Sequence, residues 1–151
     1  MEGWVIRCRR TFLLAGILLL PGSRMPGQVL TVSGNPAALN ITTAVAGSQP
    51  TAVSNNSTTY TVLVVLSSHI TAQLGSNTPV GVTLTINLAA PTGATSAGPV
   101  ALDATARNVV NNITNVLPQT RSITYQLSAL ASAGVISSRM ATVTLTVVTG
   151  P

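Results

Sequence analysis

The feature that most constrains this chain is the alternation running from Arg121 to Val148. Ile123, Tyr125, Leu127 and Ala129 alternate with Ser122, Thr124, Gln126 and Ser128. After a small-residue turn through Ser132, Ala133 and Gly134, Val143, Leu145 and Val147 alternate with Thr142, Thr144 and Thr146. A period of two sends successive side chains to opposite faces of an extended strand. Apolar residues on one face and hydroxyl or amide residues on the other describe half-buried strands, and the two runs read as an antiparallel hairpin closing a sheet.

The rest of the chain supplies strands for that hairpin to pack against. Gln28–Ser33 alternates Val29 and Thr31 with Leu30 and Val32, and stops at the turn Gly34-Asn35-Pro36. Leu39–Val45 follows, and Gln49–Ser57, with a proline and two adjacent asparagines, reads as a loop. Thr58–Leu66 is apolar on both faces at its end, the pattern of a central, doubly covered strand. His69–Leu74 continues it. Val80, Val82, Leu84, Ile86 and Leu88 share one face of the next strand, and Ala90–Pro99 is an exposed loop. Val100–Ala106 reads as a further strand.

Over residues 102–117 a helical stripe of Leu102, Ala106, Val109, Val110, Ile113 and Leu117 competes with the strand reading. The β-branched Val109, Val110, Ile113 and Thr114, with four asparagines among them, disfavour a helix and place a strand there. The chain therefore reads as all-β: one antiparallel β-sandwich of about seven to nine strands over residues 28–151. At 151 residues there is chain enough to bury an ordinary core.

Charge is scarce. Charged residues make up 6% of the sequence, against about a quarter in ordinary domains. The formal net charge of +5 is concentrated at the N-terminus, where Arg7, Arg9, Arg10, Arg24 and Glu2 lie. Beyond them stand three arginines (Arg107, Arg121, Arg139) and one aspartate (Asp103), a net +2, and there is no lysine. Nucleic-acid binding needs clustered cations that displace counterions, so no nucleic-acid partner is expected.

Arg7, Arg9 and Arg10 precede a ten-residue apolar run, Thr11–Leu20, broken by Pro21 and Gly22. This is the layout of a secretory signal, read over residues 1–27. Ten residues do not span a bilayer core of about 30 Å, so no stable transmembrane segment is expected, and the competing reading is a short uncleaved anchor. The expected destination is extracellular, periplasmic or at the cell surface. Cys8 is the only cysteine, so a chain without its leader forms no disulfide and offers no thiolate to a metal.

Tyr125–Ala129 (Y-x-L-x-A), a glycine-containing turn, and Thr142–Val147 (T-V-T-L-T-V) resemble the last two strands of bacterial immunoglobulin-like modules. Composition and strand layout are similar to those of secreted fimbrial subunits and spore-coat-like polymers. The resemblance implies an immunoglobulin-like sandwich with structural or adhesive duty. The chain departs from the fimbrial pattern in lacking a disulfide pair and a penultimate tyrosine, since it ends Gly150-Pro151.

Catalytic chemistry is argued by elimination. His69 and Asp103 are the only residues from which a serine triad could be assembled, and no G-x-S-x-G elbow accompanies them. Asp103 is the only carboxylate side chain after Glu2, which removes paired-carboxylate glycoside hydrolysis and multi-carboxylate calcium cages. No cofactor and no enzymatic activity are expected. Tyr60 and Tyr125 fall in phase with Val, Leu or Ile and fit core packing better than sugar stacking. Asn40, Asn55, Asn56 and Asn112 head N-x-[ST] sequons, with Asn55 and Asn56 best placed to carry a glycan.

Natural sheets defend their edges with lysine, inward charges and proline. A chain without lysine leaves an edge undefended, so the expected partners are copies of itself or another cell-surface protein or glycan. Gln28, Val29, Leu30, Thr31, Val32 and Ser33 are the candidate donor strand, with the following Gly34-Asn35-Pro36 as a hinge. A monomeric binding module presenting loops such as Ala90–Pro99 is the competing expectation.

Overall fold

The computed structural model describes residues 27–42, 45–114 and 116–150 with their side chains, and the backbone path of residues 5–10. Ten strands fall among these residues: β1 (Val5–Arg10), β2 (Val29–Val32), β3 (Val53–Val64), β4 (Ser68–Leu74), β5 (Val82–Leu88), β6 (Thr95–Ser96), β7 (Val100–Ala101), β8 (Arg107–Ile113), β9 (Val116–Ala129) and β10 (Met140–Thr149). They form two sheets, ordered β1-β10-β4-β8-β6 and β2-β3-β9-β5-β7. Every pairing is antiparallel except that of β1 with β10, which is parallel. The molecule is an all-β sandwich.

Alternation sets which side chains enter the core. Ile123, Tyr125 and Leu127 of β9, Val143 and Leu145 of β10, and Val82, Leu84, Ile86 and Leu88 of β5 are all buried in one apolar cluster. Thr142, Thr144 and Thr146 lie on the opposite, half-buried face. Residues 107–113 form a strand, as β-propensity argued, with Val109, Val110 and Ile113 buried. The adjacent burial of Val109 and Val110 accompanies a slip in the β4–β8 register, where Ile70 faces Val110 and the next residue, Thr71, faces Asn108.

Several local expectations are corrected. β9 and β10 do not form a hairpin: β9 pairs with β3 and β5, and β10 with β4 and β1, in opposite sheets. The segment 130–139 between them is longer than a tight hairpin loop and long enough to cross the roughly 10 Å between stacked sheets. β2 and β3 are the only consecutive strands that pair with each other among the described residues. The segment read as a loop before Thr58 contributes the first residues of β3, which starts at Val53 and slips register between Asn55 and Thr58. β3 is not doubly covered, because a two-layer sandwich covers one face only, and Val65 and Leu66 beyond its end are exposed. In Leu39–Val45 only Leu39 makes a bridge among the described positions, and Val100–Ala106 supplies only the two residues of β7. Val80 is 96% exposed, outside β5.

Gly81 shows where backbone conformation dictates residue type. Its φ is +78°, and an added Cβ would lie 2.9 Å from Cβ of Ala133. Its carbonyl accepts the Leu130 N–H at 2.7 Å, which ties the end of β9 to the entry of β5. Gly81→Ala is expected to cost about 1–3 kcal/mol from strain at a left-handed position, plus the clash. Gly93→Ala, at φ +83° with nothing within 4 Å, carries the backbone strain alone and should cost less. Urea unfolding of both variants checks the difference.

Candidate functional site: the sheet edges

The outer strands differ sharply in length. β6 and β7 have two residues each and β2 has four, and short edge strands offer few unpaired backbone groups to a second chain. The fourth edge belongs to β1, which lies in register with the first part of β10, from Val5 opposite Met140 to Arg10 opposite Leu145. Arg7, Arg9 and Arg10, read as the positive region of a secretory leader, are on this strand. The remainder of that leader, apart from Gly27, lies outside the described residues. Beneath β1 is the ten-residue β10, Met-Ala-Thr-Val-Thr-Leu-Thr-Val-Val-Thr, without charge, proline or glycine.

The structure places the candidate donor segment Gln28–Ser33 on the edge of its own second sheet. Val29, Leu30, Thr31 and Val32 pair with Leu63, Val62, Thr61 and Tyr60 of β3. Leu30 is buried, and both ends of the segment are tied by hydrogen bonds. The Gln28 side-chain amide donates to Ser68 Oγ at 2.7 Å and to Thr149 Oγ1 at 3.2 Å, reaching β4 and the end of β10 in the opposite sheet. Ser33 Oγ accepts the Thr59 N–H at 2.9 Å, and the Ser33 N–H donates to the Thr59 carbonyl at 2.9 Å. Gly34 follows at φ +72°, so the hinge position is one that glycine occupies without strain.

Among residues 27–150 the few charges lie away from the β10 edge or just before it. Asp103 and Arg107 form an ion pair. Hydrogen bonds from Arg107 and from the Thr105 N–H hold the Asp103 carboxyl below its ordinary pKa. Arg121 donates through Nε to the Ala90 carbonyl at 3.1 Å and through a terminal nitrogen to Gln119 Oε1 at 2.7 Å, and Gln119 Oε1 also accepts the Thr92 N–H at 3.0 Å. These contacts fasten the start of the Ala90–Pro99 segment to β9. Arg139 is exposed immediately before β10.

His69 and Asp103 engage different partners. His69 Nδ1 stands 3.2 Å from the Gly150 carbonyl, whereas Asp103 is taken up by Arg107 and Thr105. Among the described residues no group of three or more His, Cys, Asp or Glu side chains is arranged to hold a metal. No helix among them is long and apolar enough to cross a membrane. Tyr60 and Tyr125 are fully buried in the core. Of the sequon residues, Asn40, Asn56 and Asn112 are exposed, while Asn55 accepts hydrogen bonds from the Ser57 N–H at 3.1 Å and the Ser57 hydroxyl at 2.8 Å. Asn55 and Asn56 sit on β3 at its register slip rather than in a loop.

Sequence reasoning missed a groove of about 710 Å³ at one end of the sandwich, between the segment after Leu39 and the β9–β10 connection. Ile41, Val82, Leu127, Leu130 and Ile136 contribute to its apolar lining. The signal available beforehand was the apolar run Val135-Ile136 in a segment otherwise read as a turn. No family model matches the chain, and no curated protein or solved structure matches it either.

Proposed function

We propose that this protein is a secreted, non-catalytic structural or adhesive subunit of an extracellular fibre, coat or matrix, assembling by β-strand addition. The carrying observation is a sandwich body with four charged side chains and no lysine, whose N-terminal strand β2 is a short edge element followed by a glycine hinge. Near-neutral, Thr- and Val-rich edges carry little that repels a neighbouring strand. When Gln28–Ser33 of one molecule takes the place of the same segment in the next, Leu30 and the β3 ladder are satisfied as they are within one chain. Head-to-tail exchange of this kind does not close, so a fibre grows.

The test is sedimentation velocity and electron microscopy of the exported protein over a concentration series. Intact mass should first show loss of roughly the first 22 to 27 residues. Polymers that grow with concentration are the expected result. Deleting Gln28–Ser33 should abolish them and leave a folded domain that an added Gln28–Ser33 peptide rescues. A monomer at every concentration, or a mature mass that retains Cys8, overturns the reading.

The groove beside Leu127 and Leu130 favours a second reading, a monomeric binding module for a carbohydrate or protein. That reading predicts a monomer whose ligand binding is lost on Ile136→Asp, followed by calorimetry against a glycan and protein panel.

A further inference from the structure

With the leader removed, three of the four sheet edges are two to four residues long, and the fourth is the ten-residue β10. A long strand of Thr and Val without charge, proline or glycine has the composition that pairs readily with another strand. β10 already holds a strand along this edge, because β1 is paired to it over six positions. We propose that the exposed edge of β10 is a dimerisation surface and that its occupant is β10 of a second copy, paired antiparallel across a two-fold axis. The inference rests on the export reading, since β1 must leave with the leader.

The register follows from the pleat. Directly opposed residues in an antiparallel pair point to the same face, so a two-fold pairing keeps core residues together only if inward residues oppose inward ones. Centring on Thr144 does this over Met140–Val148 and puts an outward-facing threonine on the axis. Thr144 then faces the second copy's Thr144, Thr142 faces Thr146, and Val143 faces Leu145. The buried faces of both copies continue across the seam, and the β10-β4-β8-β6 sheet doubles in width. This contact is isologous and closes at two copies. It is therefore separate from the head-to-tail exchange of Gln28–Ser33, which needs β3 and leaves β10 untouched.

The body contains no cysteine, which makes a single introduced thiol a clean reporter. Opposed residues of an antiparallel pair place their Cα atoms about 4.5–5.5 Å apart, within the range a disulfide spans. Exported Thr144→Cys protein should give a covalent dimer on mild oxidation. Thr124→Cys, on the half-buried outer face of β9, should not. Thr144→Lys and Thr144→Glu should each weaken the dimer about tenfold or more by placing like charges opposite each other, and an equimolar mixture of the two should restore it. Circular dichroism of each variant separates lost pairing from lost folding. In the full-length chain, with β1 seated on β10, Thr144→Cys should give no covalent dimer.

A covalent dimer at Thr142→Cys or Thr146→Cys instead would support the same edge with a shorter overlap. Self-association without cross-linking at any of the three positions would overturn the β10 surface while leaving the fibre reading standing. A strict monomer would sink both. Loss of polymers on deleting Gln28–Ser33, with the Thr144→Cys dimer retained, would support both contacts as independent.

Discussion

Tyr60→Ala is expected to destabilise the fold by about 3–5 kcal/mol, the cost of removing a fully buried aromatic ring from a closed core. Tyr60 sits on β3 opposite Arg121 of β9, with no exposed surface, and its hydroxyl donates to the Ala89 carbonyl at 2.6 Å. Tyr60→Phe keeps the ring and loses the hydrogen bond, so it should cost about 1 kcal/mol. The same environment makes stability depend on alkaline pH. Burial pushes the Tyr60 phenol up to about 12, with the Arg121 charge opposing that rise. A phenol that holds its proton more tightly when folded contributes its full stabilisation below the unfolded pKa near 10 and loses it as pH rises through about 12. The loss across that window is on the order of 2–3 kcal/mol, and Tyr60→Phe should remove this contribution. Urea midpoints measured from pH 8 to 12 check it. Identical pH profiles for wild type and Tyr60→Phe would show that the phenol does not titrate as its burial requires.

Leu127→Ala and Leu145→Ala should each cost about 2–5 kcal/mol, whereas Thr144→Ser should change stability by less than about 0.5 kcal/mol. Leu127 is 3% exposed on β9 and Leu145 is 2% exposed on β10, so the two leucines belong to opposite sheets and fill one core between them. Each truncation leaves a cavity that two facing sheets cannot collapse onto without disturbing the other side. Thr144 projects from the outer face, and its replacement removes only a methyl group in a half-buried position. Thermal or urea unfolding of the three variants measures the differences. Equal effects at inward and outward positions would mean that the assigned register is shifted by one.

Along β5, β9 and β10 the strand character and the facing of the residues were legible from alternation alone. Val82–Leu88 and Ile123–Leu127 show why: a side chain's face is set by its parity within its own strand, and parity is local. The exclusion of a helix from 107–113 was legible for the same reason, because β-branching acts on a residue's own rotamers. The donor segment was legible as a strand but not as a partner of β3, because a ladder partner is a property of two segments. The groove beside Leu130 was illegible, since its walls come from segments about ninety residues apart.

By itself, then, the sequence determined that this chain forms half-buried strands, which faces are apolar, and that the body is nearly without charge. Tertiary structure alone decided that β9 and β10 part into opposite sheets, that Gln28 bridges to Thr149, and that the long uncharged β10 lies at an edge beneath β1. The physical reason is one of range. Alternation is dictated by sterics within a few residues, whereas strand partnership is chosen by the fit of two apolar sheet faces. That choice is made across loop lengths whose closure entropy changes only slowly, so the loops themselves announce little about where they lead.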